Sequence, residues 1–140
     1  MGDLNTTAIA INDTGQVLGI TRNTNDPNPE ANGSFISAPT GVGMTFLGAP
    51  AYSIPSDLND AGQMVGTDRR YAETQAFILT FPGHERYLFP LDFYPSQNAT
   101  AINNSGQVVV NSRSAFITGP NGMGMIDLGT LLGTQVRILQ

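Results

Sequence analysis

A nine-residue segment occurs three times in the chain and decides how the rest of it is organised. The copies span residues 11–19, 58–66 and 102–110, so they are offset by 47 and 44 residues. A near-constant period of this length is typical of repeat architectures, in which each repeat is one supersecondary unit. We therefore divide the 140 residues into repeats of about 5–48, 52–90 and 97–129 within a single domain. Residues 130–140 are expected to begin a further repeat or to supply a closing strand.

Each copy reads as an apolar residue, Asn, Asp or Asn, a small residue, Gly and Gln, followed by apolar residues. The first Asn of the motif, which is Asn12, Asn59 or Asn103, can bond the backbone two residues further on. The Gly that follows supplies a left-handed conformation, where a side chain would be costly. The pattern predicts a type I turn with a glycine bulge that closes a β-hairpin. We expect the Gln to begin the return strand and its amide to bond neighbouring backbone, so the motif is interpreted as structural.

The segments around the motif predict four strands in every repeat. In the first repeat these are 6–11, 16–21, 34–37 and 44–47. In the second they are 53–58, 63–67, 75–79 and 86–89, and in the third 98–102, 107–110, 114–118 and 123–128. Small residues are expected to share one face of the first strands, which suits an inner strand; they are Ala8, Ala10, Ala99 and Ala101. The rings of Phe35, Phe77 and Phe116 are expected to anchor the core.

Composition agrees with an all-β chain and excludes several function classes. Charged residues make up 12% of the sequence, whereas about 25% is usual in soluble domains, and Gly 16 and Pro 9 indicate many turns. The net charge of −5 and the lack of a basic cluster argue against nucleic acid and against anionic membrane surfaces. No apolar run approaches the roughly 20 residues of a membrane span, so we expect no membrane insertion. Without Cys, the chain has neither disulfides nor thiolate metal ligands.

The third repeat carries a recognisable pattern. It reads Ala101-Ile102-Asn103, then Gly106-Gln107-Val108-Val109, Ala115-Phe116 and Asp127-Leu128-Gly129-Thr130-Leu131. This pattern resembles the HAF repeat of bacterial proteins regarded as extracellular, in three copies that cover nearly the whole chain. The resemblance implies a β-propeller-like fold at the cell surface or outside the cell, and it supplies no catalytic residues. The residues after Met1 are polar and unlike a signal peptide, so we expect any export signal to lie outside this sequence.

A four-stranded antiparallel repeat of this length matches one propeller blade. Propellers typically have 4–8 blades, and three alone would leave exposed edge strands. The chain could be part of a longer propeller, two copies could make six blades, or the repeats could form a β-trefoil. We prefer the propeller and expect the chain to form a homo-oligomer.

The connections after the second strands differ greatly in length, and loops that vary on a constant scaffold usually carry recognition. The predicted ligand-binding residues on this side are Arg22, Asp26, Asp68, Arg69, Arg70, Tyr71, Tyr94 and Arg113, with Asn25, Tyr52, Glu73 and Phe93 as further candidates. Aromatic rings beside Asn, Asp and Arg suit sugars, so we predict a non-enzymatic module that binds a surface glycan or a surface protein.

Catalysis has little support in the sequence. His84 is the only His and lies in a turn, which favours an exposed turn residue over a catalytic one. A polysaccharide-active enzyme is the first alternative, and it requires two nearby carboxylates from Asp26, Asp68 and Glu73. A structural spacer of a larger cell-surface protein is the second alternative. The motif turns contain too few carboxylates for a cation site, so no metal or cofactor is expected.

Overall fold

The computed structural model describes residues 4–23, 25, 33–47, 52–69, 72–80, 84–88 and 96–129. These residues form an all-β structure of three four-stranded antiparallel sheets, one for each repeat. Within each sheet the strands lie side by side in chain order. No described helix is long and apolar enough to cross a membrane. The expected tail strand at 130–140 lies outside the described residues.

The strand boundaries agree closely with the predicted segments. Sheet 1 contains β1 (Leu4–Ile11), β2 (Val17–Asn23), β3 (Gly33–Ser37) and β4 (Met44–Leu47). Sheet 2 contains β5 (Ser53–Leu58), β6 (Gln63–Asp68), β7 (Gln75–Thr80) and β8 (His84–Tyr87). Sheet 3 contains β9 (Asn98–Ile102), β10 (Val108–Asn111), β11 (Ala115–Thr118) and β12 (Met125–Asp127). A short 3-10 turn, Pro120–Gly122, joins β11 to β12.

The three motif turns have the predicted geometry. In the first copy the Gly15 N–H donates to the Asn12 carbonyl, and the Asn12 N–H donates to the Gln16 carbonyl. Equivalent bonds close the other two turns, and Gly15, Gly62 and Gly106 all have positive φ. The side-chain oxygen of each Asn accepts the N–H of the following Gln at 2.9–3.0 Å. The type I turn with a glycine bulge is therefore confirmed.

The Gln of the motif bonds differently from the prediction. The Oε1 of Gln16, Gln63 and Gln107 accepts a hydrogen bond from the side-chain amide of the motif Asn, at 2.8–2.9 Å. The Gln thus holds the Asn amide in place, and only Gln63 begins a strand. This arrangement orients the Asn nitrogen towards the next repeat.

The motif turns are also linked to one another across the sheets. The Asn12 Nδ2 donates to the Asn59 carbonyl at 3.1 Å, and the Asn59 Nδ2 donates to the Asn103 carbonyl at 3.1 Å. In the same way, the Asp13 N–H donates to Asp60 Oδ1, and the Asp60 N–H donates to Asn104 Oδ1. We call this series the turn ladder. It gives the side-chain amides of Asn12 and Asn59 a role that turn formation alone does not require.

Two apolar clusters hold the three sheets together. The cluster between sheets 1 and 2 comprises Leu18, Ile36, Leu47, Leu58, Met64, Phe77 and Leu79. The cluster between sheets 2 and 3 comprises Val65, Ala76, Ile78, Leu88, Ala99, Ile102, Val108, Val110 and Phe116. In sheets 2 and 3 one face packs on the preceding sheet, as Phe77 and Phe116 do, and we call it the front face. In sheets 1 and 2 the opposite, back face packs on the following sheet, and the same names are used for the equivalent faces of all three sheets.

The core role predicted for the Phe residues is confirmed, since Phe35, Phe77 and Phe116 are all buried. In sheet 2, the ring of Phe77 lies across the strand partner Gly66. A Cβ on Gly66 would meet the Ile54 carbonyl oxygen at 2.6 Å and the Phe77 ring at 2.9 Å. Glycine is therefore required at this position by close approach.

The first strands of successive sheets lie next to each other, because β1 contacts β5 and β5 contacts β9. Each first strand contains a β-bulge, and the bulge corrects the prediction for the small residues. Ala8 pairs with Gly19 and Ala10 with Leu18, so these two alanines lie on opposite faces of sheet 1. The same shift separates Ala99 from Ala101 in sheet 3.

All pairing among the described strands stays within one repeat. A β-trefoil needs strands of different repeats to pair in a barrel. The arrangement of the sheets therefore disfavours the trefoil alternative.

Candidate functional site

Because the strands are antiparallel, the connections between them lie at two opposite ends of each sheet. We call the end that carries the motif turns the turn end. The opposite end, which we call the loop end, carries the connections between second and third strands and the links between repeats. The predicted ligand-binding residues all belong to the loop end by their position in the chain.

Three of them, Arg22, Arg69 and Arg113, occupy the same position in successive repeats. Their offsets of 47 and 44 residues are those of the motif copies. Arg22 is near the end of β2, Arg69 follows β6 directly, and Arg113 lies two residues beyond β10. All three side chains are exposed, and none is hydrogen-bonded or ion-paired to the described residues. We call them the arginine series.

Position in a variable loop does not by itself reveal that these three arginines are equivalent. The signal is present in the sequence, because aligning the motif copies aligns the arginines as well. Half of the six basic residues of the chain therefore occupy one position of the repeat.

Asp68 has a different environment from the arginines. It is the last residue of β6, its side chain is 1% exposed, and its Oδ2 accepts a hydrogen bond from the Tyr87 hydroxyl at 2.7 Å. Its carboxylate therefore faces Tyr87 inside the sheet and is not offered to solvent. Glu73, by contrast, is exposed.

The remaining predicted contacts stay predictions, because they lie outside the described residues. They are Asp26, Arg70, Tyr71 and Tyr94, and Phe93 lies there as well. Tyr52 is described; it is half exposed and has a positive φ of 66°. His84 pairs through its backbone with Thr80 at the start of β8.

Hydrogen bonds fix the backbone around the described part of the loop end. The Gln97 N–H donates to the Thr74 carbonyl, and the Thr74 hydroxyl donates to the Gln97 carbonyl, which joins sheet 2 to the start of the third repeat. Near Arg113, the Ser114 hydroxyl donates to Asp127 Oδ1 at 2.6 Å. These bonds hold the loop-end backbone of sheets 2 and 3.

The turn end contains a cavity of about 480 Å³ that was not predicted. It lies between the first two motif turns and the β3–β4 turn, and its lining includes Gln16, Ser37, Val42 and Asp60. The Ser37 hydroxyl already accepts the Val17 N–H, and Asp60 accepts bonds from Asp13 and Asn104. Because these polar groups serve the scaffold, the cavity gives less support for a ligand than the arginine series.

The described residues present exposed arginine side chains at the loop end. Among them, no group of three or more His, Asp or Glu side chains is placed to hold a metal ion. The Asp60 carboxylate of the second motif turn is used in the turn ladder. Exposed guanidinium groups, in contrast, offer planar forks of donors that match carboxylate, sulfate or phosphate oxygens.

Comparisons of the chain with protein-family models, with curated proteins and with solved structures found no match. The resemblance to the HAF repeat therefore rests on the motif residues of this sequence alone.

Proposed function

We propose that the chain is a non-enzymatic, extracellular β-propeller module that binds an acidic surface polysaccharide through its loop end. Three features of the sheets support the propeller part of the proposal. Each repeat forms one four-stranded meander, the first strands of successive sheets contact each other, and successive sheets pack face to face. The HAF-like motif supports a bacterial origin and a place outside the cell.

The arginine series is the observation that carries the proposed function, because it places one exposed cationic side chain at the same position of every repeat although the chain as a whole has a net charge of −5. A polysaccharide repeats its acidic groups along one chain, and Arg22, Arg69 and Arg113 supply one guanidinium in each repeat of this chain. An exposed guanidinium that has no partner among the described residues can pair with a carboxylate or sulfate in a bidentate manner. Three weak contacts on one polymer add up through effective concentration, so useful affinity requires no deep pocket.

The polysaccharide-active enzyme receives less support. It requires two carboxylates from Asp26, Asp68 and Glu73 within reach of one sugar bond. Asp68 is buried against Tyr87, and Asp26 lies outside the described residues. Neither residue supplies an exposed described carboxylate beside Glu73.

The test is a binding assay against matched acidic and neutral polysaccharides at low ionic strength. Each of Arg22→Ala, Arg69→Ala and Arg113→Ala should weaken binding to an acidic polymer about tenfold, because a charge-assisted pair is lost. The corresponding Lys variants should retain part of the affinity, since Lys keeps the charge but not the fork. Added salt should weaken binding further, because exposed charges are screened.

Thr40→Ala at the exposed β3–β4 turn is the matched control and should bind like the unaltered chain. Binding of acidic polymer that persists in the triple Ala variant would exclude the arginine series as the contact. A preference for neutral polysaccharide over acidic polysaccharide would contradict the proposed ligand class.

A further inference from the structure

The three sheets bury equivalent residues to very different extents. Leu58 in sheet 2 and Ile102 in sheet 3 are 4% and 8% exposed, because each packs on the preceding sheet. Their equivalent in sheet 1 is Ile11, which is 68% exposed. On the same front face of sheet 1, Phe46 is 61% exposed, whereas its neighbour Phe35 lies over Gly19 and is buried. In the described part of the chain no other sheet packs on the front face of sheet 1, and Ile11 and Phe46 are left exposed there.

The back face of sheet 3 shows the converse. In sheet 2 the back-face residue Val65 is 0% exposed, because sheet 3 covers it. The equivalent residue of sheet 3 is Val109, which is only partly buried. Val109 pairs with Ile117, and Ile117 pairs with Ile126, which is 55% exposed. A row of apolar side chains thus remains partly open on this face.

The turn ladder has matching open ends. The Asn59 and Asn103 carbonyls each accept an Asn side-chain amide from the preceding repeat, whereas the Asn12 carbonyl accepts only the Gly15 N–H among the described residues. At the other end Asn103 is exposed, and its Nδ2 donates to Gln107 alone within the described part of the chain. The ladder therefore offers a free acceptor at sheet 1 and a free donor hydrogen at sheet 3.

These faces fit each other because they are the two halves of the contact that the chain already makes twice. We propose that two copies of the chain associate head to tail, with the back face of sheet 3 of each copy packed on the front face of sheet 1 of the other. Each contact then adds the ladder bond from Asn103 Nδ2 to the partner's Asn12 carbonyl. Two such contacts close a ring of six sheets, which is within the usual range for propellers.

A second copy of the chain carries both surfaces that these two faces are suited to pack against. Any other partner would need to reproduce both the apolar row and the amide donor at repeat spacing. A head-to-tail contact that closes after two copies also leaves no apolar sheet face uncovered, which removes the aggregation hazard of an open array. This assembly does not depend on the ligand proposed above.

The mass of the unaltered chain in solution is the first measurement. Light scattering at micromolar concentration should give twice the chain mass of 14.8 kDa. Ile11→Asp on the front face of sheet 1 and Ile126→Asp on the back face of sheet 3 should each raise the dissociation constant about 100-fold or more, because a carboxylate would be buried in an apolar contact. Both residues are exposed in the single chain, so neither change should unfold it.

Val42→Asp is the matched control, because Val42 is an exposed apolar residue of the β3–β4 turn, away from both faces. This variant should remain dimeric. Mixing the Ile11→Asp and Ile126→Asp chains should restore a pair, since one of the two contacts then joins an unaltered front face to an unaltered back face.

Three results would overturn the proposal. A monomeric mass for the unaltered chain would show that a second copy does not cover these faces. A dimer that survives Ile126→Asp would indicate contact between two front faces. Failure of the mixed variants to pair would exclude the head-to-tail arrangement.

Discussion

Glycine occupies two kinds of position in these repeats, and they differ in what a side chain would meet. Gly62 in the second motif turn has a φ of +77°, and no atom lies within 4 Å of a Cβ added there. Gly66 in β6 has ordinary strand geometry, but an added Cβ would meet the Ile54 carbonyl oxygen and the Phe77 ring. The first position requires glycine for its conformation, and the second requires it for space.

This difference predicts unequal costs for the same substitution. Gly62→Ala should lower the free energy of unfolding by about 1–2 kcal/mol, the usual cost of a left-handed conformation for a residue with a Cβ. Gly66→Ala should cost about 3 kcal/mol or more, because backbone and a buried ring must move apart. Urea denaturation of both variants measures the difference. Equal costs would mean that the Phe77 ring can move aside freely.

The sequence allowed only one of these roles to be predicted. The turn role follows from a local pattern of Asn, Gly and Gln within five residues. The packing role of Gly66 depends on Phe77, which comes 11 residues later and reaches Gly66 only through the β6–β7 pairing. Likewise, the bulge that moves Ala8 and Ala10 to opposite faces leaves no clear mark in the sequence.

At the scale of the elements, sheet 2 is tied together by a polar contact between β6 and the edge strand β8. Asp68 at the end of β6 is buried and accepts the Tyr87 hydroxyl from the end of β8. Its place at the start of a variable loop led us to predict a ligand contact. The sequence could not reveal Tyr87 as its partner, because the two residues meet only when β7 is inserted between their strands.

Tyr87→Phe should therefore destabilise the chain without changing its shape. Removing the hydroxyl takes one hydrogen bond from a buried carboxylate, and we expect a loss of about 1–3 kcal/mol in the free energy of unfolding. Tyr52→Phe is the control, because Tyr52 is half exposed and should change stability by less than about 0.5 kcal/mol. Thermal unfolding followed by circular dichroism compares the two. If both variants unfold at the same temperature as the unaltered chain, the hydrogen bond from Tyr87 makes no net contribution to the free energy of unfolding.

For the whole molecule, the features that recur in every repeat could be predicted from the sequence, and the contacts between repeats could not. The number of repeats, the strand content and the turn geometry all followed from the sequence, because they depend on local patterns that recur. The turn ladder and the facing of the sheets did not, because they join residues 44 or 47 positions apart. The arginine series could be predicted in part. Its spacing is present in the sequence, whereas the exposure of its side chains is seen only in the structure.

Val65 and Val109 occupy equivalent positions in sheets 2 and 3. Comparing how their substitution changes the free energy of unfolding therefore tests the proposed assembly. Val65→Ala removes a fully buried side chain between sheets 2 and 3 and should cost about 2 kcal/mol at any protein concentration. Val109→Ala should cost clearly less in dilute solution, because Val109 is partly exposed in the single chain. When association is complete, the cost of Val109→Ala should rise towards that of Val65→Ala, since a second copy then covers the same position. Chemical denaturation at a series of protein concentrations measures both variants. A cost for Val109→Ala that does not change with concentration would contradict burial of this face by a second copy.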